Sequence, residues 1–575
     1  MKDLKFAASV LNMAILISLS ISCSGAGPPG GSANLRGAAA GQTRAPCVPG
    51  AVANGKAPVA GAADPQQRLS LAIHLPLRNQ AELNQLLHDL YDPKSPKFHK
   101  YLSVAEFTER FGATEADYNA VVTWAKANGF SVIATTPNRR LLAVECSVNT
   151  VNRAFHVSIK NYRHPTEKRI FYSPDREPTL RGLRVPLLQI TGMDNYVLPH
   201  SMLQHKVVAK VAKGSGPSGE YLPSDVRAAY YGNGPLTGAG QSIGIFSFDG
   251  YLASDVQLYY STTGMSSTVP ITNVLVGGFS GACTTVTSPT SSACDDGEQV
   301  LDIVNAIGMA PGITQILFYE GSRNTEILNQ MATDNVAKVL SSSWGWDPAD
   351  APSDEPIFQE FAAQGQSFVN ASGDQGGFNS STYAFPEVDP YVTQVGGTDL
   401  TTTGPGGPWS AETGWPQSGG GYVKGTPIPS WQQLKGVINS SNRGSKTLRN
   451  SPDVAAESNF DNPTVVNGRY VTGFGGTSFA APRWAGFLAL VNQQAEANGR
   501  GTVGFINPTL YNIGISKSYP GAFHDVTKGG NPPAAGGGSG FSAVPGYDLV
   551  TGWGSPAGVG LINQLAGASA VGGGH

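Results

Sequence analysis

Two patterns of apolar and polar positions follow one another along the chain. From about Arg68 to His200, short alternating and amphipathic stretches are interleaved. Leu69-Ser70-Leu71-Ala72-Ile73-His74-Leu75 alternates as a strand does. Ala81–Leu90 carries the spacing of an amphipathic helix, and Thr114–Asn128 that of a second, with Thr114 as N-cap and Gly129 as C-cap. Strand-like runs at Phe130–Ala134, Leu141–Cys146 and Phe155–Ile159 complete an α+β domain, strands and helices alternating over one sheet. From Tyr221 onward the strands become short and almost wholly apolar: Gln241–Phe248, Ile313–Tyr319, Val336–Ser341 and Ser367–Ala371. Helical spacing separates them, at Asp296–Gly308 and Ile357–Gln364. Apolar strands alternating with helices predict an α/β domain with a mainly parallel sheet covered on both faces. Ligands of such sheets sit at the carboxyl ends of the strands.

The segments between and before these domains read differently. Residues 1–23 have the form of an export signal: Lys2 and Lys5, an apolar stretch through Ala14-Ile15-Leu16-Ile17, then small residues. Cys23 is an alternative lipid-attachment point, although Ser20 stands where a lipoprotein signal has leucine. Residues 24–65, rich in Gly, Ala and Pro, are expected to be a linker without a core. Residues 201–219 are expected to be a flexible, protease-accessible linker holding a processing site, and 570–575 a flexible tail.

A chain of 575 residues holds more than one domain, and charged residues make up only 14% of it. With 72 glycines, this fits a large, loop-rich exported protein and argues against a disordered chain or a nucleic-acid binder. The net charge of −3 conceals an asymmetry. Residues 1–219 carry 25 basic and 14 acidic side chains (+11), and the remainder carries 13 and 27 (−14). Opposite charge on two parts of one chain suggests that it helps them assemble, unless each part simply carries its own solubility charge. The five cysteines include no C-x-x-C pair, which argues against zinc; Cys283 and Cys294 are placed to bridge in an oxidising compartment.

Gly475-Gly476-Thr477-Ser478-Phe479-Ala480-Ala481-Pro482 leads into an apolar run, Trp484, Phe487, Leu488, Leu490 and Val491. A serine in a glycine turn at a helix N-terminus can serve as a nucleophile beside unpaired N–H groups; a lone Gly-Thr-Ser can equally be only a cap. An activated serine needs a base. After Glu220 the only histidines are His524 and the terminal His575, so a Ser-His-Asp arrangement is poorly supported, and the scattered His74, His88, His99, His156 and His164 read as ordinary packing or surface residues. Carboxylates are better placed. Glu298 and Asp302 share one face of a helix otherwise lined by Val300, Leu301, Ile303 and Val304. Two desolvated like charges raise a pKa and yield a group able to take a proton; the alternative is a solvated acidic face. Asp374, in Ala371-Ser372-Gly373-Asp374-Gln375-Gly376, follows a strand. A neutral carboxyl there could donate to a developing oxyanion, or it is a turn aspartate.

These stretches, with Gly297-Glu298 to Asp302, Val339-Leu340-Ser341-Ser342-Ser343-Trp344-Gly345 and Ser451-Pro452-Asp453-Val454-Ala455-Ala456, resemble the sedolisin family of serine-carboxyl peptidases in precursor form. The resemblance implies a subtilisin-like catalytic domain over 220–569 and an inhibitory α+β (ferredoxin-like) activation propeptide over 66–200. It implies Ser478 as nucleophile, Glu298 as its base, Asp302 orienting Glu298, and Asp374 in the oxyanion hole. Some members extend the carboxylate chain with a glutamate on an early strand and a tryptophan; Trp344 is present here, but Ser247 stands at the strand position. The resemblance also implies one structural calcium ion, held by Asp525 and Asp548 and by the carbonyls of Val526, Val544 and Gly546. The expected activity is that of a secreted, monomeric, acid-acting endopeptidase on proteins or peptides, self-inhibited until acid neutralises carboxylates and loosens the basic propeptide. A tripeptidyl exopeptidase and a catalytically silent peptide-binding protein are the alternatives.

Overall fold

The structure, a computed structural model, describes residues 45–206, 213–283, 294–379, 383–535 and 539–567. The expected signal segment, Cys23 and the tail 570–575 lie outside the described residues.

The N-terminal domain holds two sheets, not one. Its strands are β1 (Val59–Ala62), β2 (Arg68–His74), β3 (Ser131–Thr135), β4 (Leu141–Ser147), β5 (Ile159–Arg163), β6 (Ile170–Pro174) and β7 (Gln189–Thr191). Its helices are α1 (Gln80–Tyr91), α2 (Val104–Phe111), α3 (Glu115–Ala127) and α4 (Val148–Phe155). The main sheet runs β3-β4-β2-β7, antiparallel throughout, the ferredoxin-like order. Alternation in β2 sends Leu69, Leu71 and Ile73 into a core with Val121, Ala125, Val151 and Phe155. Thr114 caps α3 as expected, accepting from Asp117 N at 3.1 Å; Asn128 is the C-cap, and Gly129 follows it with φ +87°. The expected strand at Phe155–Ile159 is instead the end of α4 and the start of β5. Ser147 caps that helix by accepting from Thr150 N at 3.2 Å, and Val148, Val151, Ala154 and Phe155 form its buried stripe. The expected linker also ends early. Residues 45–65 pack on this domain: Ala45, Cys47, Ala57 and Ala63 are buried, and β1 pairs with β5 in the second sheet, β1-β5-β6. Small side chains there make close packing possible where composition alone suggests a spacer.

Two short strands follow, β8 (His200–Ser201) and β9 (Gln204–His205). The C-terminal domain then builds an eight-stranded sheet from β10 (Ser242–Ser247), β11 (Ile271–Leu275), β12 (Gln315–Glu320), β13 (Val339–Ser342), β15 (Ser367–Ala371), β16 (Thr393–Thr402), β17 (Trp409–Gly414) and β18 (Val454–Glu457), with β14 (Trp344–Gly345) just after β13. The order is β11-β12-β10-β13-β15-β16-β17, and β18 also pairs with β16. Only the β16–β17 pairing is antiparallel. Helices α5 (Gly297–Met309) and α8 (Thr477–Ala497) cover one face, and α6 (Asn324–Asp334) and α7 (Ala351–Ala363) the other. Alternate residues of β10 face the two sides. Ile243 and Ile245 meet Val300, Ile303, Val304, Trp484 and Phe487, whereas Phe246 joins Ile327, Leu328, Phe358 and Phe361. Full burial of each such side chain contributes about 1.5–3 kcal/mol. A hairpin of β19 (Asn462–Val466) and β20 (Arg469–Gly475) leads into α8.

The N-terminal domain lies against α6 and α7. Asn138 Nδ2 donates to Asn329 Oδ1 (2.8 Å) and to Glu360, the Tyr91 hydroxyl donates to the Ala362 carbonyl (2.6 Å), and Arg323 bonds the Ser70 carbonyl. The stretch 201–219 is pinned in its described parts, contrary to the flexible linker expected. β8 pairs with β14, β9 with β20, and Lys213 reaches Asp399 (2.8 Å) and Asp461 (3.3 Å).

Candidate active site

Three chain reversals bring the reactive groups together. Ser478 opens α8, Glu298 lies in the first turn of α5, and Asp374 follows the carboxyl end of β15. Every residue of α5 is buried, so its acids lie in the interior and not on a solvated face. Close helix packing holds the geometry: a Cβ on Gly486 of α8 would lie 2.6 Å from Met309 Cβ of α5.

The Ser478 hydroxyl donates to Glu298 Oε2 at 2.9 Å. Burial, then the nearby Asp302, pushes Glu298 well above the usual carboxylate range, which makes it a stronger base than an exposed glutamate. Asp302 is also raised by burial and is tied by the Ser343 hydroxyl, which donates to Asp302 Oδ1 at 2.6 Å. Asp374 Oδ1 accepts from Thr477 N and from Thr477 Oγ1, both at 2.8 Å, while its Oδ2 is buried with no partner among the described residues. Burial pushes Asp374 up to about 8, so this carboxyl is neutral in acid.

The cleft is occupied by the chain itself. Ser201 pairs with Trp344 and His200 with Gly345; beyond the turn, Gln204 pairs with Gly475 and His205 with Phe474. Between these ladders Met202 N donates to the Ser343 carbonyl (2.9 Å), and the Met202 carbonyl accepts from Ser478 N (3.3 Å). A Cβ on Gly476 would fall 2.1 Å from that carbonyl oxygen and 2.8 Å from Asp374 Oδ2, so only glycine, here at φ +147°, lets the two approach. The Met202 carbonyl thus lies among the serine, its backbone N–H and the neutral carboxyl. The Met202 side chain packs among Ala371, Ala384 and Ala481.

All four residues singled out from sequence, Ser478, Glu298, Asp302 and Asp374, converge here. Ser343 and Thr477 were not singled out, although both stand inside the motifs that were; their hydroxyls act on residues 41 and 103 positions away. Neither Ser247 nor Trp344 extends the carboxylate chain. The Ser247 hydroxyl turns to the Asp249 carbonyl (2.7 Å), and Trp344 Nε1 has no partner among the described residues. Asp453, in the Ser451–Ala456 motif, is structural: it pairs with Arg449 (2.6 Å) and accepts from the Tyr511 hydroxyl (2.8 Å) in the core. His524 stacks on Trp409 with ring centroids 4.1 Å apart, and Cys283 and Cys294 form a disulfide just ahead of Glu298.

Of the expected cation ligands, Asp525 and Asp548 both accept main-chain N–H groups of the loop 544–548. Gly546 N donates to both oxygens of Asp525 (3.2 Å each), and Val544 N donates to Asp548 Oδ2 (3.0 Å). Val550 N and Thr551 N also donate to Asp548 Oδ1, at 2.8 Å each. Burial raises both carboxyls, and no Lys, Arg or His pairs with either among the described residues. Two neighbouring carboxyls on one loop without a cationic side chain suit a hard cation.

Comparison with known proteins agrees with this geometry. Residues 56–181 match the Pro-kumamolisin activation domain, and 282–508 match the Subtilase family. Sedolisin of Pseudomonas sp. (strain 101) is 31% identical over 527 residues, covering 84% of this chain and 85% of that protein. Kumamolisin of Bacillus sp. (strain MN-32) is 30% identical, covering 89% and 93%, and tripeptidyl-peptidase 1 of Homo sapiens is 26% identical, covering 88% and 93%. The solved structure of Pseudomonas sedolisin (serine-carboxyl proteinase) complexed with two molecules of pseudo-iodotyrostatin shares 31% identity, covers 62% of this chain and 98% of that one, and has a TM-score of 0.48. With a serine bonded to a buried glutamate and an activation domain ahead of the catalytic one, this chain belongs to the sedolisin family of serine-carboxyl peptidases.

Proposed function

We propose that this serine peptidase is an exported, acid-acting endopeptidase that cuts its own precursor at Met202–Leu203. The observation that carries the reading is the seating of residues 200–205. Chain is held on both sides of the Met202 carbonyl, so the cleft accepts peptide running through it and not only a free end. In this reading Ser478 attacks the carbonyl and Glu298 takes its proton. Asp302, steadied by Ser343, keeps Glu298 in place, and Ser478 N with the protonated Asp374 hold the oxyanion. As the C–N bond breaks, Glu298 passes that proton to the leaving Leu203 nitrogen; water then hydrolyses the serine ester, Glu298 taking the water's proton and returning it to Ser478. Catalysis needs a proton kept on Asp374, and burial keeps it there up to about pH 8, so acid conditions leave the donor intact. Export rests on the N-terminal sequence; among the described residues no helix is long and apolar enough to cross a membrane. Asp525, Asp548 and the carbonyls of Val526, Val544 and Gly546 would hold calcium, which would supply charge neutralisation to the C-terminal loop.

The test is digestion of a peptide library at about pH 4 by the acid-processed protein, with products read by mass spectrometry and Glu298→Ala as control. Internal cuts are expected. Release of N-terminal tripeptides alone would replace the endopeptidase reading with the tripeptidyl one. No cleavage would leave the silent binder, and full activity in the control would refute the carboxylate mechanism.

A further inference from the structure

On the leaving-group side of the Met202 carbonyl, the second residue is Gln204, and both ends of its carboxamide are engaged. Gln204 Nε2 donates to the main-chain carbonyl of Asp374 at 2.8 Å, and Gln417 Nε2 donates to Gln204 Oε1 at 2.7 Å. The orientation is not free. The Asp374 carbonyl can only accept, so it requires an N–H of the guest amide; the guest oxygen is then turned to Gln417, which must present its own N–H. The wall is fixed independently of the guest. Gly376 N donates to the Gln417 carbonyl (3.0 Å) and Gly419 N to the Gly373 carbonyl (2.6 Å), locking the two loops together.

Resting on the reading that residues 200–205 occupy the cleft as substrate does, we propose that Gln417 and the Asp374 carbonyl form a carboxamide-reading subsite. The subsite makes the enzyme select peptides with glutamine two residues after the scissile bond. The two contacts are a donor and an acceptor at fixed positions, so shape alone does not satisfy them. Methionine matches glutamine in length and leaves both contacts unmade. Glutamate places an oxygen against the Asp374 carbonyl, and lysine places a cation against the Gln417 amide. Both contacts are part-buried, and polar partners left unpaired discriminate more sharply than lost apolar contact.

The experiment measures kcat/KM for peptides spanning Pro199–Lys206 with Gln, Met or Ala at the position of Gln204, using full-length protein processed in acid, either wild type or carrying Gln417→Met or Gln417→Ala. The expected wild-type preference for Gln over Met is about tenfold or more, as two hydrogen bonds supply. The Gln/Met ratio should fall toward one in both variants. A ratio near one in the wild type, or one that survives both substitutions, would overturn the proposal while leaving the peptidase reading intact. Failure to cut any of the peptides, the Ala peptide included, would instead refute the substrate register from which the proposal starts. The ratio is internal to each enzyme preparation, so partial misfolding of a variant does not alter it.

Discussion

Asp374 provides the sharpest test of the serine–carboxyl machinery. Both hydrogen bonds it accepts, from Thr477 N and Thr477 Oγ1, fall on Oδ1. A proton on this carboxyl therefore sits on Oδ2, the atom facing the carbonyl to be attacked. Burial raises its pKa to about 8, so the donor form is present below that value and is lost as pH rises through it. Opening of the cleft readmits water and moves the midpoint down. Asp374→Ala removes one oxyanion donor and is expected to lower kcat about 10²–10³-fold, about 2.7–4 kcal/mol of transition-state stabilisation, with kcat/KM falling in parallel. Asp374→Asn is the informative partner. Its carbonyl oxygen takes the place of Oδ1 against Thr477, and its NH₂ takes the place of Oδ2, giving a donor that never titrates. The Asn variant should retain more activity than Ala, and its alkaline limb should disappear or move up. The assay is a pH–rate profile of kcat on a fluorogenic peptide containing Met-Leu-Gln. An Asn profile with the same alkaline limb as the wild type would show that another group sets that limb, and undiminished kcat in Asp374→Ala would remove Asp374 from the oxyanion site.

Three further outcomes follow from the same structure. Wild-type precursor incubated in acid should yield a new N-terminus at Leu203 by mass spectrometry, and Ser478→Ala should stay intact at every pH; a first cut outside 200–205 would contradict the seating of that strand. Asp194 of the N-terminal domain is raised to about 7 by burial and by Asp347 of the catalytic domain, so its ionised form costs stability that sets in as pH rises from the usual carboxylate range through 7. Asp194→Asn in the Ser478→Ala precursor should therefore raise the apparent Tm by a few degrees (about 2–4 °C) at pH 8 and hardly at all at pH 5, and equal shifts at both would exclude this origin. Removal of divalent cations with a chelator should lower the apparent Tm by about 5–10 °C, restored by calcium and not by magnesium, while Asp548→Ala should be insensitive to the chelator; an unchanged Tm in the wild type would exclude a bound structural cation.

Much of the site was legible because its key residues are locally encoded. Glu298 and Asp302 announce themselves by being the only charges in a mostly apolar helix, and Ser478 by the glycine turn before a buried helix. The histidine count argued against the common base, and His524, one of the two histidines after Glu220, is stacked on Trp409. What was not legible depends on partners far along the chain. His200–His205 has no strand pattern of its own; it is ordered by edges at Trp344–Gly345 and Phe474–Gly475. Residues 45–65 read as spacer because small residues are neutral in an apolar count, yet smallness lets β1 pair with β5. Ser343 and Thr477 lay inside motifs, but their value is that their hydroxyls meet Asp302 and Asp374, which sequence spacing cannot show.

The charge asymmetry of the two domains was expected to make acid release the propeptide, and the structure divides that expectation in two. The long-range attraction between a +11 and a −14 segment does weaken as exposed carboxylates protonate. At the contact itself the sign is opposite. Glu360, buried beneath Asn138 and Arg140, is raised to about 7, as is Asp194, so the covered state holds protons that exposed carboxyls would give up near their usual pKa. Mild acid thus tightens these contacts, and lower pH no longer acts on them. Desolvation has the same effect in the cleft below, where it keeps Asp374 protonated and makes Glu298 a stronger base. The catalytic donor is therefore already in place at neutral pH, before acid loosens the cover, with the chain seated at Met202. Cutting that bond, and not electrostatic repulsion, is then the step that makes uncovering irreversible.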